Sequence, residues 1–473
     1  MNKLAVSAFA ILLCWSGSSL YARHHIETAY PQRLAELSNN NALGLHVKKH
    51  SFDAGAFSSV ASTEFELKSN ACAESPNLSF TIEERFRHDL ISGLGSVKSD
   101  INIIIHDKNA EKAFNSIAGK IKKAPLVITG TYSLFGNKVN YDITSPAFNI
   151  NGNAGDMIDW GGMTGKITLS NDIYAAHFNS PKLTLSDTHN RNFSLLGLKF
   201  DQDGMHTAIG VDAGKSSLSI DTLELYGFKQ GVIPNVMIEK INFNQHTKLN
   251  GNLIDMLSEN SIDQIKVGKL IENGSLSSKF ALNHLDAQGL ATFNKAFNRI
   301  RTTCQVNFAD FDKDLKAVLK GSPELIVEQI KLSMGDVAFA ISGHIKGANL
   351  DKMQDNAVDA LRKIDGLDGL DIKLQLNAND AAIAAVENKS PSFSQILERF
   401  INADILTRQA NGYSLDILYK NAELKFNKLS LNDLKLALSA PADDLQDAYS
   451  SDEEAEEEPT NPYPDWYDPN RIY

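Results

Sequence analysis

Residues 51–67 read SFDAGAFSSVASTEFEL, and their pattern decides the fold class. Apolar Phe57, Val60, Phe65 and Leu67 are spaced among polar residues, and the preceding LGLHVKKHSFD alternates at Leu43, Leu45 and Val47. Side chains along a strand point to opposite faces in turn, so each segment reads as a strand with one apolar side. Gly55 stands between them, and since glycine can take positive φ without strain it suits a tight reversal. The stretch predicts a β-hairpin that opens a sheet.

The pattern then persists through LSFTIEERF, INIIIHD, LVITGTYSL, VNYDITS, KITLS, KLTLSD, FSLLGLKFD, SSLSIDTLELYGF, VMIEKINFN, IKVGKL and SSKFALNHLD. Asn, Asp, Gly and Ser join most of these runs. The gaps leave no room for the crossover helices of a parallel sheet, so an up-and-down antiparallel meander is expected. Amphipathic helices are expected at DAQGLATFNKAFNRIRTT, with Leu290, Phe293, Phe297 and Ile300 on one face, and at FDKDLKAVLKGS, LDKMQDNAVDALRKI and FSQILERFINADIL. ELIVEQIKLSMGDVAFAISGHIKG and LDIKLQLNA return to strand, and YSLDILYKNAELKFNKLSL closes with a hairpin. The expected fold is mainly β with some helices (α+β), elongated, with amphipathic helices packed on one face of long meander sheets. The expected organisation is a leader at 1–22, a β-rich region at 23–285, an α+β region at 286–440 and a disordered acidic tail at 441–473.

The chain has 473 residues, of which 42% are hydrophobic, enough for a real core. Net charge is −12, but 11 acidic residues and no basic ones fall between Asp443 and Asp468, leaving the body close to neutral. No basic face is available for a phosphate backbone, which argues against nucleic acid as a partner. Within the tail, Tyr463, Trp466, Tyr467 and Tyr473 alternate with acids and prolines. Such a segment serves either as a solubilising extension or as a set of aromatic anchors for a partner's groove.

Leu4 to Ala22 is uncharged, and a helix of that length spans about 28 Å, near the thickness of a bilayer's hydrocarbon core. Lys3 favours a cytoplasmic N-terminus and an exported body. Two outcomes are open. Leu4 to Trp15 has signal-peptide length, with small residues for cleavage at Ser16 and Ser18 or Gly17 and Ser19; alternatively the run stays as an inner-membrane anchor. Leu13 is bulky where a lipoprotein signal at Cys14 needs a small residue. The other two cysteines, Cys72 and Cys304, are either a disulfide of an oxidising compartment or two separate buried thiols. Three cysteines in this pattern offer too few ligands for a metal.

Several stretches imitate binding motifs. GVDAGKSS (Gly210, Gly214, Lys215, Ser216) ends like a phosphate loop but is one residue short and leads into a strand, so it is expected to be a hairpin turn. FDQDGMH (Asp201, Asp203, Gly204) starts like a calcium loop, lacks the later ligands and is likewise expected to be an Asp-Gly turn. NGNAGDMIDWGGMTGK is expected to be a broad loop that exposes Trp160 to a partner. The 12 histidines are scattered, with His177, His189 and His206 in different strands or turns. Neither a helical His pair nor a Gly-x-Ser-x-Gly elbow occurs. No catalytic residue, cofactor site or metal site can be nominated.

The order of these pieces resembles the YdgA-like family of bacterial envelope proteins, which carry a domain of unknown function. The most specific agreement is a hydrophobic leader, then HHIETAYPQRLAEL, then the hairpin turn with Phe52, Gly55, Phe57, Ser58 and Ser59. LSSKFALNHLDAQGLATFNKAF, VLKGSPELIVEQIKLSMGDVAF and LYKNAELKFNKLSLNDL agree as well, so the resemblance covers roughly residues 1 to 435. The family's His-Gly-Pro turn is replaced by RHDLISG, and its Asn-Gly turn by Asn427-Lys428, which questions the tightness of that last hairpin. The resemblance implies a Gram-negative inner-membrane or periplasmic location, a β-rich body and a retained anchor, and it implies no activity. A non-enzymatic binding or scaffold module is expected, working through sheet edges, the tail, self-association or an envelope protein. The alternative is carriage of lipid or another apolar ligand along a curved sheet. Helices at 290–320 and 350–405 covering the apolar faces would favour the scaffold, and an unfilled apolar face would favour carriage.

Overall fold

The computed structural model describes residues 21–24, 26–28, 30–31, 34, 45–55, 57–67, 78–88, 96–133, 138–152, 155–189, 191–227, 235–269, 271–303, 308–347, 370–389, 392–421 and 423–433. Cys72, Cys304, the leader up to residue 20, the helix expected at LDKMQDNAVDALRKI and the acidic tail with Tyr463, Trp466, Tyr467 and Tyr473 lie outside the described residues.

The strands form one antiparallel meander. β1 (Leu45–Ala54) pairs with β2 (Ser58–Leu67), then β3 (Leu78–Arg87), β4 (Ser96–Ile105), β5 (Val127–Ser133) and β6 (Lys138–Ser145) follow, each paired with its predecessor. β6 and β7 (Phe148–Asn151) run end to end against β9 (Met163–Ser170) and β8 (Met157–Trp160), forming one long hairpin interrupted at Pro146-Ala147 and Gly161-Gly162. The NGNAGDMIDWGGMTGK segment is therefore a strand pair rather than a broad loop. Trp160 is half-buried, and its indole donates to Ser145 Oγ at 2.8 Å.

The longest strands come next: β10 (Ile173–Ser186), β11 (Asn192–His206), β12 (Asp212–Tyr226), β13 (Val236–Asn250), β14 (Leu253–Val267) and β15 (Ile271–Asp286). The phosphate-loop and calcium-loop imitations both fall inside this ladder. Asp203 pairs with Lys215 and Gly204 with Gly214, so both stretches are mostly strand; the reversal lies between them at Thr207–Gly210 and takes in only Gly210, the first residue of the phosphate-loop imitation. The sheet continues across residue 286, because β15 pairs with β16 (Glu324–Met334), followed by β17 (Val337–Gly347), β18 (Leu370–Asn379), β20 (Gly412–Lys420), β21 (Glu423–Phe426) and β22 (Leu429–Ser430). The short β19 (Thr407–Gln409) lies against β20 beside β21. In the last hairpin Asn427 takes φ 52°, and its side chain donates to the Ile405 carbonyl at 2.7 Å while accepting from the Asp416 amide at 2.8 Å. Asparagine tolerates this backbone region, so the turn stays tight without glycine.

Helices occupy the ends of strands. α1 (Lys108–Ile121), absent from the sequence expectation, starts where Asp107 accepts from the Ala110 amide at 2.7 Å, and it borders β4 and β7. α2 (Ala287–Thr303) and α3 (Phe308–Leu319) cross closely at Gly289, where any Cβ would strike the Ala317 carbonyl. They pack on the end of β15 around Ile254, Leu285, Ala291 and Val318. α4 (Asp380–Lys389) continues directly from β18 and borders β17 and β20, with α5 (Ser392–Asn402) behind it. Among the described residues the helices have their principal sheet contacts with β4, β7, β15, β17, β18 and β20, and α2 and α3 also reach Leu249, Ile254 and Met256 at the ends of β13 and β14.

A crease crosses the long strands. Cross-strand pairing lapses opposite Pro181 in β10, Gly197 in β11, Asp221 in β12, Lys240 in β13 and Asp263 in β14, one strand after another. Gly197 and Lys240 have positive φ, 65° and 53°. Pro181, Asp221, Lys240 and Asp263 are all exposed, and Lys240 Nζ meets Asp263 Oδ2 at 3.4 Å. Apolar parity switches at this line, from Leu218 and Ile220 to Leu223 and Leu225, or from Ile238 to Ile241 and Phe243. Regular alternation would turn those residues to opposite faces. It does not, because β15 crosses the line without interruption against β16. Its Leu276 and Gly274 share a face, and they pair with Ile262 and Ile265, three residues apart. The extra residue is a β-bulge, which resets the alternation and bends the strand. Ile241, beside Lys240 on the other side of the sheet, is 6% exposed, so the apolar side is the inside of the bend.

Gly197→Ala is expected to destabilise the protein by about 1–3 kcal/mol, because positive φ strains alanine and its Cβ would collide with the Asp221 carboxylate. Urea denaturation checks this, and Asp221→Ala in the same background should restore part of the loss by removing the collision.

Candidate functional site

The reset parity gives the sheet one apolar face. Residues directly opposite in antiparallel strands share a face. On one row Phe178, Phe200, Leu218 and Phe243 follow each other across β10–β13, then Asn260 and Ser278, then Ile330, Ile341 and Leu376 across β16–β18. The adjacent row runs Ile220, Ile241, Ile262, Leu276, Leu332 and Phe339. Beyond the crease Trp160, Leu183, Leu195, Leu223, Ile238 and Ile265 form another. From β10 to β18 this face carries no Asp, Glu, Lys or Arg except Asp212, which ends β12 against His206. Phe243 is 41% exposed, and most of the row residues remain half-buried, as side chains do when only sheet neighbours flank them. Eight spacings of about 4.8 Å make this field about 38 Å long, more than the roughly 30 Å hydrocarbon core of a bilayer.

The opposite face is polar. Lys166, His177, Asp201, Ser217, Asn244, Glu259 and Lys279 form one row. Cross-strand polar contacts run along it: His177 Nδ1 to Asp201 at 2.8 Å, Lys279 to Glu259 at 3.1 Å and to Glu328 at 3.0 Å. The best-formed cavity there, about 330 Å³, is an open hollow beside Asp203, Lys215, His246 and Glu259. No group of three or more His, Cys, Asp or Glu able to hold a metal occurs among the described residues.

The two ends of the apolar face differ. At the far end Arg408 of β19 lies over the Tyr413 ring at 4.6 Å and pairs with Asp380. At the near end, helical residues between 21 and 34 cover β1–β6, with Ala22 and Ile26 buried against Ala61, Phe86, Val97 and Val139. Glu84 lies beneath them, 2% exposed, accepting from Ser99 Oγ at 2.5 Å and from the Tyr132 hydroxyl at 2.7 Å. Tyr132 and Tyr141 hydroxyls meet at 2.5 Å. Burial pushes the Tyr30 hydroxyl up to about 12, with the Glu84 charge adding to it. Burial, then Tyr141 and Glu84, also raise Tyr132 well above its ordinary value.

A family model described as a bacterial protein of unknown function (DUF945) matches residues 1–432. The chain belongs to the DUF945 family. No curated protein and no solved structure matches it. In this DUF945 chain the turn noted from sequence is built into the covered end. Phe52 lies 6.2 Å from Phe86, and Gly55 sits where a Cβ would strike the Ser58 carbonyl. Ser59 Oγ meets His88 Nε2 at 3.0 Å, the Phe57 carbonyl accepts from the His88 amide at 3.1 Å, and the Phe57 ring and Ser58 are exposed. These residues shape the hairpin rather than line the apolar rows. Sequence reasoning passed over Glu84 and the neutral polar residues Asn260 and Ser278. Their signal was polarity at positions that should be apolar.

Below pH 10 the raised tyrosines contribute a constant stability. Above it the unfolded chain loses those protons first, so stability falls by roughly 1.4 kcal/mol per pH unit for each affected tyrosine until its folded value is reached. Alkaline unfolding followed by tyrosinate absorbance should show this between pH 10 and 12, and Tyr132→Phe should make the fall shallower.

Proposed function

We propose that this protein is a non-enzymatic envelope module that holds the acyl chains of lipids along its apolar face. The observation that carries this reading is the charge-free field that runs from Phe178 in β10 to Leu376 in β18, on which α2 and α3 cover only the strand ends around Leu249, Ile254 and Met256. Its chemistry suits a hydrocarbon chain, since each buried CH₂ contributes about 0.8 kcal/mol and no charge has to be desolvated.

A scaffold working through sheet edges has less support. β1 carries a bulge at Lys48 followed by Lys49, and β22 is two residues long. Charges, bulges and short edge strands discourage pairing with another chain. The polar face pairs its lysine Lys279 with Glu259 and Glu328 and sets Asp201 and Asp203 beside His177, an arrangement that does not suit a phosphate backbone. The uncharged run Leu4 to Ala22 supports export and tethering to the inner membrane, and the helical residues from 21 onward then join that anchor directly to the covered end of the apolar face.

Full-length protein extracted gently from membranes is expected to carry phospholipid in near-stoichiometric amount, read by native mass spectrometry and lipid extraction. Phe243→Lys should reduce the retained lipid at least tenfold, because it places a charge in the middle of the field. Ser219→Lys on the polar face should leave it unchanged. Lipid-free protein from the same preparation refutes the reading, and the intact mass reports whether residues 1–22 are retained.

A further inference from the structure

The apolar face has one interruption. Gln202, Ser216, Gln245 and Ser258 are consecutive cross-strand partners in β11–β14, and Asn260 and Ser278 adjoin them in the next row. All six are neutral. Asn260 Nδ2 donates to Ser258 Oγ and Ser278 Oγ, both at 3.1 Å, which fixes that amide. Gln202 Nε2 reaches the Tyr174 hydroxyl at 3.4 Å. Ser216 and Gln245 make no side-chain hydrogen bond among the described residues, and Gln245 is exposed. On either side the face is again hydrocarbon, with Phe178, Phe200 and Leu218 towards β10 and Phe280 and Val327 towards β16.

A face selected only to be apolar would not place amides and hydroxyls at its centre. Resting on the acyl-binding reading above, we propose that this patch recognises the uncharged carbonyl linkage, ester or amide, by which acyl chains join the rest of the ligand. Amide N–H and hydroxyl groups donate to carbonyl oxygens, and the rows on both sides receive the chains. A phosphate is not the group recognised here, because the face from β10 to β18 offers no Lys or Arg to pair with it.

The test uses full-length protein loaded with a fluorescent fatty-acid probe, displaced by dioleoylglycerol, by its ether-linked analogue and by dioleoylphosphatidate at low and high salt. The ester is expected to displace the probe about fivefold more strongly than the ether, the worth of one or two neutral hydrogen bonds. Phosphatidate should be no stronger than dioleoylglycerol at either salt concentration. In Gln245→Leu and Asn260→Leu variants that still bind the probe, ester and ether should become equal. Equal displacement by ester and ether in the native protein overturns the assignment, as does a salt-sensitive preference for phosphatidate. Failure of the native protein to bind the probe at all refutes the acyl-binding reading itself.

Discussion

A strand repeats its facing every two residues, and that period is the constraint on which this architecture depends. In strands of 14 to 16 residues, any single irregularity sends every later side chain to the wrong face. Five adjacent strands contain such an irregularity at the same level, and the sequence changes parity at that level in each of them. Backbone and sequence therefore compensate. The result is a sheet that bends without exchanging its faces.

The bend and the apolar face are linked energetically. Side chains inside a crease approach one another, and Ile241 is buried there although it belongs to neither of the two helix-backed cores. Outside the crease, Lys240 and Asp263 remain in water as an exposed pair whose stabilising value is small. The crease is held by what lies inside it, so the hydrophobic rows stabilise the curvature that shapes them. Covered regions supply the remaining stability: aromatic packing around Phe86 and the Glu84 hydrogen bonds over the first strands, and the α2–α3 pair over the ends of β13–β15.

The meander itself was legible in the sequence, since the first hairpin, the run of antiparallel strands, α2, α3, α5 and the closing hairpin all follow from periodicity. Strand length was not. IYAAHFNS and LIDMLSENSIDQ belong to β10 and β14, but Pro181 and the Ile262–Ile265 parity change break the pattern that a reader of alternation follows. The Asp-Gly and Gly-Lys-Ser stretches looked like turns because those residue types usually make turns. Here each glycine faces the other across a ladder: a Cβ on Gly214 would strike the Asp203 carbonyl, and one on Gly204 the Tyr174 ring. α1 was passed over although its amphipathic pattern is as clear as that of α2 and α3, whereas α4 has little amphipathic contrast and follows β18 without a break.

Glu84 and the Asn260 patch illustrate two different reasons for polarity on an apolar face. Glu84 is buried among tyrosines and a serine that satisfy it, and removing one partner of such a network leaves a charge without compensation. Its two hydrogen bonds tie β3 to β4 and β5 beneath the helical residues. The Asn260 patch lies in the open part of the field, where water can satisfy it and no cover needs to be positioned. A polar group that packing does not require and that disrupts an otherwise continuous hydrocarbon surface needs another cause. Contact with a ligand that is itself polar at one point along its length supplies one.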